Sequence, residues 1–338
     1  MKKIVLILLS SLLFLNSCSD LPQGQVFEVR LSEMPIREKI AQMIIIEGRP
    51  DNLRKVSELS IGGIFLFPLK NEEQYIRTIN NFQRNSKYKL FVATDLEGCV
   101  NMLENIQTFK YFSEIETEEE AYNLGKDMGF LLNKLGFNIN FAPVLDLEDT
   151  IWHCRSFTGT KEQIIAKGLA FLEGLKPTGI ISTAKHFPGR TLNVADTHTG
   201  PANSKISKDD LDPFYKAMES DVDMLMVNHL IVSGELESKG KPSSVSKDVI
   251  SNVKQNFDGL IITDDLKMKG VSSLYTERKE VYIDAINAGN DILLHAYEED
   301  PEGVIDYIEN AVINGRIKEE LINRSVIKIL EKKGIKVA

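Results

Sequence analysis

The sequence predicts a single-domain α/β protein built as a (β/α)8 barrel of the TIM type. Short, apolar and β-branched runs recur along the chain, and amphipathic helical patterns separate most of them. This alternation is typical of a parallel sheet, and eight strands over about 300 residues fit a closed barrel. The chain has 338 residues, of which 43% are hydrophobic, and this is sufficient for one large core.

The predicted strands share short runs of Val, Ile, Leu, Met and Phe. They cover residues 42–46, 63–67, 90–94, 138–141, 179–183, 224–228, 259–263 and 291–295. Helical patterns occupy, among others, residues 115–135, 161–175, 209–219, 276–288, 301–314 and 317–332. A doubly wound open sheet is the alternative, but it calls for a Gly-rich phosphate turn, and the sequence has no G-x-G-x-x-G motif.

The first residues have the pattern of an export signal. Lys2 and Lys3 precede an apolar run over residues 4–15, which is too short to span a bilayer as a stable helix. Ser17 then precedes Cys18, and this arrangement resembles a bacterial lipobox, in which the cysteine becomes the lipid-bearing first residue. An ordinary secretory signal with an accidental cysteine is the alternative.

These patterns predict a domain organisation. We expect residues 1–17 to be a lipoprotein signal peptide, residues 18–30 a tether, and residues 31–338 the barrel domain. The protein would then be anchored by lipid at Cys18 in a bacterial cell envelope, as a periplasmic or outer-membrane lipoprotein. The two remaining cysteines, Cys99 and Cys154, follow strands that would be neighbours. Two unpaired thiols are the simpler expectation, and a disulfide, which export permits, is the alternative.

The charge distribution excludes one class of partner. The formal net charge is -9, and the sequence has no dense Lys/Arg stripe of the kind that phosphate contacts require. We therefore expect no nucleic-acid partner, and we expect the protein to be a monomer.

Polar side chains cluster where the predicted strands end. Four of the five histidines lie at or just beyond such ends, whereas histidines used only for packing would be scattered. The set, in chain order, is Asp95, Glu97, Asp146, Arg155, Lys185, His186, Asp196, His198, Asn228, His229, Asp264, Asp265 and His295. Any one of them could simply cap a helix, but the carboxyl ends of barrel strands form one rim, where chemistry is performed.

Several kinds of site are disfavoured. His186, His198, His229 and Asp264 could be imagined as metal ligands, but no H-x-H or H-E-x-x-H spacing is present. Lys185 and Arg155 would add positive charge nearby, which opposes a metal. The sequence also lacks the G-x-S-x-G motif of serine hydrolases and a glycine-rich phosphate site. We therefore expect neither a metal nor a cofactor.

Carboxylates, a lysine, an arginine and imidazoles together suit a polyhydroxylated ligand such as a sugar. Cleavage of a glycoside needs a carboxylate at the oxocarbenium-like centre and a proton donor for the leaving oxygen. Asp264, at the end of an apolar strand, suits the first role. His198 suits the second role, because Asp196 two residues earlier can orient its imidazole.

Five motifs resemble those of glycoside hydrolase family 3, and the nearest branch resembles the single-domain β-N-acetylglucosaminidases of the peptidoglycan-recycling type. In chain order they are NFAPVLD at 140–146, RSF at 155–157, KHFPG at 185–189, DTH at 196–198 and TDDLKMKG at 263–270. The resemblance extends over nearly the whole mature chain. It implies a (β/α)8 barrel and a retaining mechanism.

The resemblance also implies roles for individual residues. Asp264 would be the nucleophile that forms a glycosyl-enzyme intermediate, and Asp265 would be structural. His198 would be the acid/base, with Asp196 as its orienting partner. The residues expected to bind the sugar are Asp95, Arg155, Lys185, His186 and His229.

Two loops depart from the family pattern. The family has Gly-Arg and a second arginine after Asp-x-Glu-Gly, whereas this chain has Cys99-Val100-Asn101. After KHFPG the family has His-Gly-Asp-Thr, whereas this chain has Arg190-Thr191-Leu192-Asn193. We expect an exo-acting β-N-acetylhexosaminidase that releases terminal N-acetylglucosamine from peptidoglycan fragments or related glycans. A β-N-acetylglucosaminide phosphorylase and a non-catalytic glycan-binding envelope lipoprotein are the alternatives.

Overall fold

The computed structural model describes residues 27–194, 196–296 and 300–338. The predicted signal peptide, Cys18 and most of the predicted tether lie outside these residues. Eight strands form the central sheet: β1 (Ile44–Glu47), β2 (Gly63–Phe65), β3 (Phe91–Thr94), β4 (Ile139–Asn140), β5 (Ile181–Phe187), β6 (Met224–Val227), β7 (Leu260–Thr263) and β8 (Leu293–His295). Each coincides with a predicted strand, and the bounds differ by at most four residues.

The sheet closes into the predicted barrel. Its strands are all parallel, in the order β7-β6-β5-β4-β3-β2-β1-β8. A parallel bridge between Ile262 and Ile292 joins β7 to β8, and the amide of Leu266 donates to the carbonyl of Leu294 at 3.0 Å. The strands are mostly buried on both sides, so apolar residues do not alternate with polar ones along them, and the polar side chains lie mainly toward their carboxyl ends.

Helices cover the outside of the barrel. They are α1 (Ile36–Gln42), α2 (Leu53–Glu58), α3 (Glu72–Asn85), α4 (Glu118–Leu135), α5 (Lys161–Leu175), α6 (Lys208–Glu219), α7 (Lys247–Lys254), α8 (Lys269–Ser272), α9 (Glu280–Ala288), α10 (Pro301–Ile313) and α11 (Glu319–Lys332). The start of α4 lies three residues after the predicted one. Thr117 caps this helix by accepting the amide of Glu120 at 3.1 Å.

Two features of the rim differ from the sequence-based expectation. Strand β5 continues through Lys185 and His186 to Phe187, whereas the prediction ended it at residue 183. A strand that carries polar side chains into a pocket does not look apolar in the sequence. Two short strands, Asn203–Ile206 and Ile231–Gly234, also pair in parallel, and they join the segments that follow β5 and β6.

A disulfide joins Cys99 to Cys154, with their Cα atoms 6.0 Å apart. The prediction of two unpaired thiols was therefore wrong, and the alternative prediction of a disulfide is confirmed. The bridge ties the loop after β3 to the loop after β4, because neighbouring barrel strands bring these two loops together. Among the described residues, no helix is long and apolar enough to cross a membrane.

Candidate active site

A pocket opens at the carboxyl ends of the barrel strands and encloses about 240 Å³. Seven of the eight predicted catalytic and sugar-binding residues line it: Asp95, Arg155, Lys185, His186, Asp196, His198 and Asp264. They come from β3, β4, β5 and β7 or from the loops that follow these strands. The fold thus brings together side chains that are up to 169 residues apart, from Asp95 to Asp264 (264 minus 95).

Asp264 follows β7 directly. Its amide donates to the carbonyl of Val227 at 2.9 Å, and its Oδ1 accepts the amide of Asp265 at 2.8 Å. Burial alone would raise the pKa of Asp264, but the imidazoles of His229 and His186 and the amide of Asp265 outweigh burial and lower it. Asp264 is therefore an anion held at the pocket, which is the state that a nucleophile requires.

Asp265 is held away from this role. Its Oδ1 accepts the amide of Lys267 at 2.8 Å, and its Oδ2 accepts the amide of Ala296 at 3.2 Å. Burial raises the pKa of Asp265 to about 6, and the neighbouring Asp264 carboxylate adds to the rise. The environments therefore push the pKa values of the two adjacent carboxyls apart, and both oxygens of Asp265 are already bound by backbone amides.

Asp196 and His198 form a dyad in the loop after β5. Oδ1 of Asp196 accepts from Nδ1 of the His198 ring at 2.6 Å and from the His198 amide at 2.9 Å. Burial would raise the pKa of Asp196, but these two hydrogen bonds outweigh burial and lower it. The carboxylate therefore fixes the proton on Nδ1 and leaves Nε2 as the ring nitrogen available for proton transfer. The His198 side chain is 63% exposed, so it is accessible from the pocket mouth.

Glu97 holds Arg155 and Lys185, the two cations predicted to bind the sugar, although the sequence indicated no role for Glu97 itself. Its fully buried carboxylate accepts Nε and Nη2 of Arg155 at 2.7 and 2.9 Å and also pairs with Nζ of Lys185. Burial alone would raise the pKa of Glu97, but the charges of Arg155 and Lys185 lower it to about 2. The Asp95-Leu96-Glu97 spacing at a strand end was the signal that could have identified it.

Asp95 and Lys185 line the pocket together with Arg155. Nζ of Lys185 donates to Oδ1 of Asp95 at 2.6 Å. Burial, together with the nearby Glu97 carboxylate, raises the pKa of Asp95, while Lys185 opposes the rise. The side chain of Asp95 keeps 22% of its surface exposed, so one carboxylate remains available for ligand hydroxyls.

His186 is oriented by a buried carboxylate. Asp146 accepts the His186 amide at 3.1 Å and its Nδ1 at 3.0 Å, and its other oxygen accepts the amide of Thr191 at 2.6 Å. The Nδ1 atom therefore carries the ring proton. Nη2 of Arg155 lies 3.4 Å from Nε2 of His186, so the guanidinium and the imidazole line the pocket side by side.

His229 does not line the pocket, although its position after a strand predicted a sugar-binding role. Its side chain is fully buried, and it is absent from the lining of the pocket. Nε2 lies 2.9 Å from the carbonyl oxygen of Asp265, so this nitrogen is the donor, and Nδ1 accepts the hydroxyl of Ser244 at 2.7 Å. Both ring nitrogens thus have protein partners, and burial lowers the pKa of His229, so this imidazole is neutral and is not available to bind a sugar.

In the three described ranges no group of three or more His, Cys, Asp and Glu side chains is arranged to hold a metal ion. The charged groups of the pocket instead pair with one another, carboxylate to cation, as in the Asp95–Lys185 and Glu97–Arg155 contacts. Such a surface offers donors and acceptors to hydroxyl groups.

Comparison with known proteins gives one consistent family. Residues 35–331 match the glycosyl hydrolase family 3 N-terminal domain. The beta-hexosaminidase LpqI of Mycobacterium tuberculosis is 27% identical over 322 residues, which cover 88% of this chain and 82% of that protein. A beta-hexosaminidase of Haemophilus influenzae is 31% identical over 295 residues, which cover 79% of this chain and 82% of that protein.

Solved structures agree with the sequence matches. The structure of M. tuberculosis LpqI is similar with a TM-score of 0.85 at 25% identity, over 93% of this chain and 99% of that chain. A family 3 beta-N-acetylglucosaminidase from a Paenibacillus species is similar with a TM-score of 0.82 at 28% identity. This second match covers 89% of the present chain but 62% of the longer Paenibacillus chain.

Proposed function

Because the chain belongs to glycosyl hydrolase family 3, we propose that it is a retaining exo-β-N-acetylhexosaminidase that releases terminal N-acetylglucosamine. One observation carries this proposal. An anionic Asp264 shares a single pocket with an Asp196–His198 dyad, so a nucleophile and a proton donor face the same cavity. Retaining glycosidases need these two groups for a double displacement.

The first half of the reaction would form a covalent intermediate. A carboxylate oxygen of Asp264 attacks the anomeric carbon, and the bond from that carbon to the leaving oxygen breaks. Protonated His198 gives its Nε2 proton to the leaving oxygen, while Asp196 stabilises the imidazolium through Nδ1. In the second half a water attacks the anomeric carbon, Nε2 of His198 takes a proton from it, and the Asp264 carboxylate is released.

The remaining charged groups would hold the sugar that is transferred. The buried Glu97 carboxylate holds Arg155 and Lys185 in fixed positions. Their remaining donors, together with the carboxylate of Asp95, can therefore hydrogen-bond to sugar hydroxyls without rearrangement. Hydrogen bonds that are set in advance can strengthen in the transition state, and they then lower the barrier rather than only binding substrate.

The pocket dimensions support removal of one terminal residue. A cavity of about 240 Å³ lies below the range of roughly 300–1,000 Å³ that holds drug-sized ligands, so it suits a single sugar ring. The names of the relatives, beta-hexosaminidase and beta-N-acetylglucosaminidase, support an acetamido sugar in this position.

We also propose that the enzyme acts in the cell envelope. The export pattern and the Ser17-Cys18 motif support a lipid anchor, and an anchored enzyme would meet peptidoglycan fragments and related glycans. Mass spectrometry of the mature protein tests this part. A diacylglyceryl-modified Cys18 at the N-terminus is the expected result, and an unmodified N-terminus beyond Cys18 would contradict it.

Turnover of two aryl glycosides tests the activity. The mature protein should hydrolyse an aryl β-N-acetylglucosaminide much faster than the matching aryl β-glucoside, and Asp264→Asn should abolish this turnover. Asp306→Asn, on the outer face of α10 and paired with Arg37, is the matched control and should retain full activity. Sugar 1-phosphate formed only in the presence of phosphate would indicate a phosphorylase, and no turnover under either condition would favour a binding role.

A further inference from the structure

An exposed aromatic side chain stands at the mouth of the pocket. Trp152 lies in the loop after β4, its surface is 47% exposed, and it lines the pocket together with Val100, Met102 and Ile151. These three neighbours are partly exposed as well. A tryptophan left open to water at a pocket is a typical platform for a ligand that has both apolar and polar surface.

The tryptophan is positioned directly beside the inner part of the site. Cζ of Arg155 lies 6.0 Å from the centre of the Trp152 ring, and the same guanidinium is bound to the buried carboxylate of Glu97. A sugar held by Arg155 and its neighbours would therefore have its glycosidic bond to the leaving group next to the indole. The cavity suits one ring, so the next ring of a glycan must lie at this mouth.

The loop that carries Trp152 is fixed before any ligand binds. The carboxylate of Asp149 accepts three amides, those of Trp152 at 2.7 Å, Cys154 at 3.0 Å and Arg155 at 2.8 Å. Burial alone would raise the pKa of Asp149, but the backbone hydrogen bonds outweigh burial and lower it. The amides of Thr150 and Ile151 bind the carbonyl of Leu192 at 3.0 and 3.1 Å.

The disulfide completes this arrangement. It joins Cys154, two residues after the indole, to Cys99, which adjoins Val100 in the loop after β3. The apolar neighbours of Trp152 therefore come from two loops that are linked covalently. Preorganisation of this kind lowers the entropy cost of ligand binding, so it favours affinity at the mouth.

From these contacts we propose that Trp152, with Val100, Met102 and Ile151, forms a subsite for the sugar on the leaving side of the scissile bond. This subsite binds the C–H face of a pyranose ring against the indole. The inference rests on the proposed function, because the leaving sugar has a defined position only if the inner sugar is bound by the Asp95–Arg155–Lys185 cluster. It makes the enzyme selective for glycans over simple glycosides.

Kinetics with two natural-type leaving groups test the subsite. N,N′-diacetylchitobiose has a pyranose as leaving group, whereas methyl β-N-acetylglucosaminide has only a methyl group. We expect Trp152→Ala to lower the ratio of their kcat/KM values, disaccharide over methyl glycoside, about tenfold. Trp152→Phe keeps an aromatic face and should retain the ratio within about threefold. Phe130→Ala, which removes an exposed aromatic side chain from α4, is the control. An unchanged ratio in Trp152→Ala would overturn the proposal.

Fluorescence separates this inference from the proposed activity. Trp152 is the sole tryptophan of the 338 residues, so intrinsic tryptophan emission reports on this position alone. In Asp264→Asn, N,N′-diacetylchitobiose should shift the emission to the blue, since the second ring would cover the indole. If the wild-type protein turns over neither glycoside, the proposed function fails and this titration decides the subsite. A blue shift then supports it, and unshifted emission at saturating disaccharide rejects it.

Discussion

The backbone amide of Gly270 donates a hydrogen bond of 2.7 Å to the carbonyl oxygen of Thr197. This contact links two segments of the rim, because Gly270 lies in α8, shortly after Asp264, and Thr197 lies between Asp196 and His198. A Cβ atom at position 270 would lie 2.9 Å from both the Cβ and the carbonyl oxygen of Thr197. The absence of a side chain at Gly270 therefore lets the loop of the Asp196–His198 dyad pack directly against α8.

Gly270→Ala should impair proton donation more than nucleophilic attack. The added methyl would push Thr197 outward, and His198 would move with it. For methyl β-N-acetylglucosaminide, whose leaving oxygen needs the proton, kcat/KM should fall about 10- to 100-fold. For the 2,4-dinitrophenyl glycoside, which leaves without protonation, it should change less than about threefold. Gly200→Ala, in the same loop with open space around it, is the control, and equal losses on both substrates would contradict this assignment.

Replacing Glu97 should release Arg155 and Lys185, the two cations that we propose bind the sugar. Glu97→Gln leaves Arg155 and Lys185 in a buried place without their shared anion, so we expect a loss of stability of about 3–5 kcal/mol. The two cations would also lose their fixed positions, and kcat/KM should fall about 100-fold or more. Urea unfolding and steady-state kinetics measure the two effects. Glu33→Gln, in an exposed pair with Arg30, should change stability by less than about 0.5 kcal/mol. A Glu97→Gln protein that matches the wild type in kcat/KM would refute the role.

The raised pKa of Asp265 predicts a specific dependence of stability on pH. Its ordinary value is 3.8 and its value in the folded protein is about 6, so the folded state binds a proton more tightly than the unfolded state. Between these values the unfolded carboxyl ionises first. The contribution of Asp265 to the free energy of unfolding is therefore complete below pH 4 and falls by about 3 kcal/mol as the pH rises through 6.

Asp265→Asn lacks this ionisation and provides the measurement. The stability of the variant relative to the wild type should rise between pH 4 and pH 7, in urea unfolding at each pH. The same series on Asp306→Asn, in an exposed ion pair, supplies the reference. A constant difference between Asp265→Asn and the wild type across this range would show that Asp265 titrates at its ordinary pKa.

The disulfide should stabilise the barrel substantially. It closes a loop with a sequence separation of 55, and the chain-entropy model gives about 4 kcal/mol for a loop of this length. The double variant Cys99→Ser/Cys154→Ser should therefore unfold at a lower urea concentration. A reductant should lower the midpoint of the wild type and leave that of the double variant unchanged. Identical midpoints for oxidised and reduced wild type would contradict the estimate.

The sequence predicted the eight strands and the rim because parallel barrel strands are buried on both faces and end at polar residues. The sequence also predicted that His229 binds the sugar, because His229 follows strand β6. Only the three-dimensional contacts reveal that Ser244 and Asp265 occupy both nitrogens of its ring. The sequence placed Glu97 at the rim but indicated no role for it, because its partners, Arg155 and Lys185, are 58 and 88 residues away (155 minus 97 and 185 minus 97).

Trapping the glycosyl-enzyme intermediate tests the central claim most directly. The mature protein would be incubated with a 5-fluoro derivative of N-acetylglucosaminyl fluoride, which slows release of the covalent intermediate, and then digested and analysed by mass spectrometry. We predict one equivalent of sugar attached to Asp264, and no label in Asp264→Asn. Label on another residue, or full inactivation without any covalent adduct, would contradict the assignment of Asp264 as the nucleophile.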